Sequence, residues 1–185
     1  HENVNSANLL LDNLLIWSFS QIKDTKPTLI KLKLKSIIEE VVFLYKEAVV
    51  LKGIKVINNF TLDLDFLGDE QQIKIIFRNL FNNAIKFTNV NGSIFINAHQ
   101  QGEFIVIKIE DNGIGIKRQD LEYIFSKPKL NIGTNGENST GLGLMLCREM
   151  VTNHSGTIKI NSQLGKGTIV EVQLPIFSLL DINHI

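Results

Sequence analysis

The 185 residues are enough for one domain with a hydrophobic core, since 44% of them are apolar. Nineteen basic and nineteen acidic residues give a formal net charge of zero, which argues against a nucleic-acid partner. A single cysteine, Cys147, excludes an intrachain disulfide and fits a reducing compartment. With no long apolar run and no signal-peptide pattern, the sequence predicts a soluble, cytoplasmic chain.

The first 27 residues predict a helix followed by a polar linker. Apolar side chains recur at helical spacing between residues 4 and 22, and their face is wide enough for a helical bundle. The linker at 23–27 favours a helix that projects away from the following residues, with packing on its own domain as the alternative. We therefore expect one unit at residues 1–27 and a second at residues 28–185.

Beyond the linker, the hydrophobic pattern predicts alternating strands and helices. In chain order these are a strand at 28–34, a helix at 36–52, strands at 54–60 and 62–67 joined by a short turn, a helix at 69–87, a hairpin at 92–110, a short helix at 118–125, a helix at 140–154 and a hairpin at 157–174. Ser36 and Asp69 are the predicted N-caps of the first two helices, because their side chains can accept hydrogen bonds from free backbone N–H groups.

Asp111 ends a predicted strand and opens a turn that contains Gly113 and Gly115. Glycine lets the backbone approach a ligand closely, and a carboxylate offers acceptor oxygens to a donor such as an exocyclic amine. Such a turn is typical of a ligand-facing strand end. It is also common in ordinary turns, so the motif alone leaves both interpretations open.

Asn79 and Asn83 are one helical turn apart, and Lys86 follows on nearly the same line. Amide oxygens are suitable ligands for Mg²⁺ or its water shell, and a lysine ammonium is a suitable partner for phosphate. The stripe therefore indicates a metal-bound phosphate. A solvated polar face is the alternative interpretation.

The segment at 126–140 lacks periodicity, and its length predicts a lid over a ligand. Gly141 and Gly143 then open a helix, whose free N–H groups favour phosphate oxygens. This start matches neither a P-loop nor a dinucleotide fingerprint. His99 and His154 have no metal-ligand spacing, and we interpret both as structural.

Four segments, in this order, resemble the N, G1, F and G2 boxes of bacterial sensor histidine kinases, which belong to the GHKL superfamily. They are residues 79–88, 111–115, 121–125 and 141–144. The resemblance covers residues 28–175. It implies an α+β fold of the Bergerat ATP-binding type, a two-layer sandwich whose mixed, mostly antiparallel sheet is covered by helices on one face, preceded here by the projecting N-terminal helix.

The resemblance also implies ATP and Mg²⁺ as ligands, with Asp111 accepting from the adenine amino group. The implied catalytic residues are Asn79, Asn83 and Lys86, and Asn83 and Asn79 would hold the metal. The implied ATP-binding residues are Asn79, Asn83, Lys86, Asp111, Gly113, Gly115, Ile116, Phe125, Thr140, Gly141, Leu142, Gly143 and Leu144.

The implied reaction is transfer of the ATP γ-phosphoryl group to a histidine on the family's dimerisation hairpin. The implied signalling partner is a response-regulator receiver domain. Residues 13–18 resemble the second helix of that hairpin, and a homodimeric parent protein is expected. The residues after His1 lack the proline of the acceptor box, so we expect the acceptor upstream or on another chain.

Two alternatives remain open at this point. One is an ATP-hydrolysing clamp resembling gyrase, the mismatch-repair clamp and Hsp90, although those proteins place a glutamate where Asn79 stands. Asn79 cannot act as a general base at neutral pH, so we expect ATP hydrolysis by this chain to be slow. The other is a nucleotide-binding regulatory module without kinase activity.

Overall fold

A computed structural model describes residues 27–59, 64–126, 131–136, 138–139 and 141–176. The predicted projecting helix and Thr140 lie outside these residues. The elements are β1 (Ile30–Lys33), α1 (Leu34–Leu44), α2 (Lys46–Leu51), β2 (Lys55–Asn58), β3 (Asp65–Gly68), α3 (Glu70–Phe87), β4 (Ser93–Gln101), β5 (Phe104–Asp111), α4 (Arg118–Leu121), β6 (Asn131–Ile132), β7 (Asn138–Ser139), α5 (Gly143–Asn153), β8 (Thr157–Gln163) and β9 (Gly167–Pro175).

The main sheet has five strands in the order β2-β4-β5-β9-β8. The β2–β4 pair is parallel, and the other three pairs are antiparallel. Both predicted hairpins are present, as β4–β5 and β8–β9. The prediction of a mixed, mostly antiparallel sheet is therefore confirmed.

The helices supply the second layer of the fold. Along β5, Ile105, Ile107 and Ile109 are buried in the core that α1, α3 and α5 share with the sheet. Their neighbour Lys108 points to the opposite face, where its Nζ lies 3.1 Å from Glu171 Oε2 of β9. This period-two alternation directs one face of β5 to the helices, and the other face carries Lys108 together with the buried Val106.

The helix α3 begins and ends where the sequence predicts. Asp69 is its N-cap, and Asp69 Oδ1 accepts a hydrogen bond of 3.1 Å from Gln72 N. Most of its apolar side chains are buried, and Asn79 is buried with them, which places α3 at the centre of the helical layer. Within the described residues, no helix is long and apolar enough to cross a membrane.

The predicted helix at 36–52 differs from the structure in two respects. It begins at Leu34, so Ser36 lies in the first turn and Lys33 occupies the N-cap position without a side-chain hydrogen bond. It also breaks at Tyr45, where φ is −99° and ψ is 12°. The Tyr45 ring packs edge-on against Phe81 of α3 with 6.0 Å between ring centroids. Packing between helices thus coincides with a break that the hydrophobic pattern does not show.

The predicted neighbouring strands at 54–60 and 62–67 belong to different sheets. β2 pairs with β4, whereas β3 pairs antiparallel with β1 in a separate two-stranded sheet. Residues 60–63 between them lie outside the described residues. Both predicted strands are present, but alternation of side chains carries no information about the partner of a strand, so the sequence does not predict that they join different sheets.

Candidate functional site

Asp111 lies at the end of β5 and only 7% of it is exposed. Its Oδ1 accepts a hydrogen bond of 2.9 Å from Gly113 N, inside the turn that it opens. Burial raises the pKa of Asp111 to about 6, and hydrogen bonds from the backbone of Gly113 and Thr168 limit that rise. The site thus holds a carboxylate that water hydrates poorly and that can gain from a new hydrogen-bond donor.

The glycines of this turn are required by its surroundings. A β-carbon at Gly113 would collide with the backbone carbonyl of Phe87, the last residue of α3. Gly115 has a φ of +65°, in the left-handed region that favours glycine. The N–H group of Ile114 donates to Phe87 O at 3.0 Å, so the turn is fastened to the end of α3.

The polar stripe of α3 is part of the same region. Asn79 is buried with 9% exposure, and Asn83 and Lys86 are half-buried. A β-carbon at Gly143 would lie 3.0 Å from Asn79 Oδ1, so the first residue of α5 packs directly against this amide. The helix α3 therefore touches the glycine turn at its end and the glycine-rich start of α5 near its middle.

The start of α5 has the backbone that the sequence predicts for an anion site. Gly141 has a φ of +71°, and the N-cap position is Leu142, whose side chain makes no capping hydrogen bond. Leu142 therefore supplies no side-chain cap to the N–H groups of the first helical turn, which lie beside the positive end of the helix dipole. The N–H groups at this end of α5 can donate hydrogen bonds to phosphate oxygens.

Ile116 and Phe125 border the region on the side of the predicted lid. Ile116 is half-buried, and its N–H group donates to Ser162 Oγ of β8 at 2.9 Å. Arg148 Cζ lies 5.8 Å from the centre of the Phe125 ring, within reach of a cation–π contact. The helix predicted at 118–125 ends at Leu121 as α4 and continues as turns.

Part of the lid is ordered differently from the prediction. In place of a segment without regular structure, β6 and β7 form a two-residue antiparallel ladder. Between them, Thr134 N donates to Lys86 O at 3.0 Å, and Thr134 Oγ1 lies 2.9 Å from Thr88 O. The lid is thus attached to the C-terminal end of α3, beside the predicted phosphate ligand.

Two contacts around the site were missed by the sequence analysis. The buried ammonium of Lys52 donates to Ile85 O at 2.7 Å and to Lys86 O at 2.9 Å, which places a cation at the negative end of α3. Ser162 Oγ donates a hydrogen bond of 2.8 Å to Gly167 O within the last hairpin, and it accepts the hydrogen bond from Ile116 N. A lone lysine before Gly53 and a serine on a strand carry no signal in the sequence.

The residues present fit a cation that arrives with a nucleotide. The described part of the chain contains no group of three or more His, Cys, Asp or Glu side chains that could hold a metal ion. The amides of Asn79 and Asn83 carry no charge, so a cation beside them would need phosphate oxygens to supply the negative charge. His99 is exposed on β4, and His154 is buried at the end of α5.

Comparison with known proteins agrees with this geometry. The family described as "Histidine kinase-, DNA gyrase B-, and HSP90-like ATPase" matches residues 68–177. Sporulation kinase C of Bacillus subtilis is 31% identical over 180 residues, which are 95% of this chain and 40% of that protein. Histidine protein kinase DivJ of Caulobacter vibrioides is 37% identical over 116 residues, 62% of this chain and 19% of that protein. The chain thus spans less than half the length of these relatives.

Solved structures show the same fold. The histidine kinase AdeS of Acinetobacter baumannii superposes with a TM-score of 0.76 at 21% identity, covering 95% of this chain and 81% of that one. The catalytic domain of the histidine kinase ThkA gives a TM-score of 0.69 at 27% identity, covering 80% and 95%. The chain therefore belongs to the histidine kinase-, gyrase B- and HSP90-like ATPase family, and is the catalytic, ATP-binding domain of a two-component sensor histidine kinase.

Proposed function

We propose that this domain binds Mg·ATP against α3 and transfers the γ-phosphoryl group to a histidine that lies outside these 185 residues. The observation that carries the proposal is the convergence of three motifs on one helix. The glycine turn bonds to Phe87 at the end of α3, the start of α5 packs against Asn79, and the lid bonds to Lys86.

The base half of the site is assigned to the end of β5. Asp111 accepts a hydrogen bond from the adenine amino group, which adds a donor to those that Gly113 and Thr168 already supply to the poorly hydrated carboxylate. Gly113, Gly115 and Ile116 line the base, because a turn without bulky side chains lets a flat ring approach the backbone. This assignment explains why a charged side chain is kept at a position that raises its pKa.

The phosphate half is assigned to α3, α5 and the lid. Asn83 and Asn79 hold Mg²⁺, and Lys86 binds phosphate as a point charge. The backbone N–H groups at Gly141–Leu144 donate to phosphate oxygens, the preceding residue Thr140 is assigned to the same binding segment, and Phe125 anchors the lid. When bound, Mg²⁺ neutralises charge on the phosphate oxygens as the reaction proceeds.

The transfer forms a bond between phosphorus and a neutral imidazole nitrogen and breaks the bond from phosphorus to the bridging oxygen, so that ADP leaves. The contribution of the protein is mainly positioning and charge neutralisation. None of the described histidines suits the acceptor role, since His154 is buried and His99 stands on the outer half of β4. We therefore place the acceptor on a dimerisation hairpin of a homodimeric parent protein.

The partner in signalling is proposed to be a response-regulator receiver domain. ThkA, whose structure in complex with a response regulator matches 92% of this chain at a TM-score of 0.74 and 25% identity, supports this choice. A cytoplasmic location for the domain is consistent with the buried free thiol of Cys147. The hydrolytic clamp remains the weaker candidate, because Asn79 offers no general base for water.

Incubation with γ-labelled ATP and Mg²⁺ tests the proposal. We expect no acid-labile label on the 185-residue chain alone, and label on an added dimerisation hairpin that carries the acceptor histidine of this family. Asn83→Ala should abolish the transfer while the fold persists by circular dichroism. Acid-labile label on the chain itself would show that one of its own histidines is the acceptor, and rapid phosphate release without any hairpin would favour the clamp.

A further inference from the structure

His154 is a buried polar residue with defined hydrogen bonds on both ring nitrogens. It follows the last residue of α5 and is 4% exposed. Its Nδ1 lies 2.7 Å from Met150 O, and its Nε2 lies 2.9 Å from Asp69 N. A carbonyl can only accept and a backbone N–H can only donate, so Nδ1 carries the proton and Nε2 is the acceptor.

The partner of His154 is the residue that begins α3. Asp69 caps this helix through Oδ1, and its Oδ2 accepts a hydrogen bond of 3.1 Å from Thr28 N. The Asp69 N–H group donates the hydrogen bond that His154 Nε2 accepts. One imidazole thus joins the C-terminal end of α5 to the N-terminal end of α3.

The two helices meet again at the site itself, where Gly143 packs against Asn79. From Asp69 to Asn79 the rise along α3 is about 15 Å, and from Gly143 to His154 the rise along α5 is about 16 Å. The helices therefore run side by side in opposite directions with matched lengths between two points of contact. The imidazole is at one end of this pair and the proposed phosphate site is at the other.

The contacts between these points carry little directional information. The side chains of α5 that face the core are Leu146, Cys147, Met150 and Val151. Apolar packing is non-directional, and the polar contact from Cys147 Sγ to Ile76 O is long, at 3.7 Å. A short hydrogen bond with fixed geometry is better suited to set how far α5 slides along α3.

We propose that His154 is a positioning residue for phosphate binding. By fixing the register of α5 against α3, it holds the N–H groups at the start of α5 in place relative to Asn79 and Asn83. This inference rests on the proposed nucleotide site. It does not extend to the base half, since Asp111 and the glycine turn lie on β5 and beyond, away from α5.

Two polar substitutions of His154 distinguish a role in positioning the phosphate site from a role in stabilising the fold. In His154→Asn the amide can still donate to Met150 O but is too short to reach Asp69 N. In His154→Gln the longer amide can place an acceptor where Nε2 stands. Cys147→Ala is the matched control, because it weakens the same helix interface without removing the His154 bond.

The Kd values for Mg·ADP and for adenosine are measured at a temperature well below the Tm of each variant. We expect His154→Asn to weaken Mg·ADP by about tenfold, the effect of one directed hydrogen bond, and to leave adenosine unchanged. His154→Gln should restore most of the loss, and Cys147→Ala should lower Tm without changing either Kd. Wild-type Mg·ADP affinity in His154→Asn, or equal loss of both ligands, would overturn the proposal.

A measurement on the wild-type chain covers the case in which His154→Asn does not fold. Coupling between two sites is reciprocal, so saturating Mg·ADP should shift the imidazole ¹⁵N resonances of His154 and slow amide exchange at Asp69, whereas adenosine should do neither. No change with Mg·ADP bound would contradict the role of His154. If the wild type does not bind Mg·ADP at all, the nucleotide assignment fails first and this inference with it.

Discussion

The carboxyl group of Asp111 is buried at a cost to folding. Because burial raises its pKa from 3.8 to about 6, the carboxyl group binds its proton more tightly in the folded state than in the unfolded state. Its contribution to stability is therefore full below about pH 4 and is lost as the pH rises to 6 and above. At neutral pH the loss amounts to at most about 3 kcal/mol, from two pKa units of about 1.4 kcal/mol each.

Asp111→Asn should accordingly stabilise the unliganded domain and remove nucleotide binding. The amide keeps an acceptor for Gly113 N without carrying a charge, so we expect a higher Tm at pH 7.5 and little difference at pH 3.5. The same variant should lose most of its affinity for Mg·ADP. Glu103→Gln, an exposed residue at the β4–β5 turn, is the control that should do neither. A less stable Asp111→Asn at pH 7.5 would mean that hydrogen bonds to the carboxylate outweigh its desolvation.

The same pKa predicts how binding of the base depends on pH. A ligand that donates to the carboxylate favours its ionised form, so the Kd for adenosine should increase as the pH falls below about 6, by up to tenfold per pH unit. Adenosine is the suitable probe because it has no phosphate to titrate. Titration calorimetry from pH 5 to 8 measures the effect, and a flat profile would show that Asp111 does not receive the base.

At the scale of elements, α3 functions as the common wall of the site. Its end supplies Phe87 O to the glycine turn, and that contact leaves no room for a β-carbon at Gly113. The turn can therefore move only if the end of α3 moves with it. Rigid placement of the turn is what allows a backbone segment to line a flat ring.

Gly113→Ala should therefore displace the turn from α3. We expect destabilisation of about 1–3 kcal/mol from overpacking and a clear loss of adenosine affinity. Gly102→Ala is the control, since a β-carbon there meets no atom within 4 Å and the residue lies at the distant β4–β5 turn. Its left-handed φ of +60° should cost about 1 kcal/mol of stability without changing the Kd. Normal binding by Gly113→Ala would remove the turn from the site.

For the whole molecule, nucleotide binding should appear as increased stability. A ligand that binds only the folded state at one hundred times its Kd adds about 2.7 kcal/mol, which corresponds to a Tm increase of roughly 5–10 °C in a chain of this size. Heating scans with saturating ADP, with Mg²⁺ or with EDTA, measure this and the share that depends on the ion. An unchanged Tm at saturating Mg·ADP would contradict the central assignment.

Local signals in the sequence were sufficient to predict most of the helices and strands and several residues of the candidate site. Asp69 was predicted as the N-cap of α3 because capping involves residues three positions apart, and the limits of the two hairpins follow from alternation and turn residues. The spacing of Asn79 and Asn83 and the glycines around Asp111 predicted which residue types would face a ligand. Each of these features depends on neighbours in the chain, and the resemblance of four ordered motifs supplied the fold.

The tertiary structure alone decided the contacts between distant parts of the chain. The partner of β2, the bond from Lys52 to the end of α3 and the bond from His154 to Asp69, across 85 residues, have no signature in local periodicity. The pKa of Asp111 likewise depends on how completely the surrounding layers exclude water. These features arise from packing in three dimensions, where residues far apart in sequence exchange hydrogen bonds and remove solvent from one another.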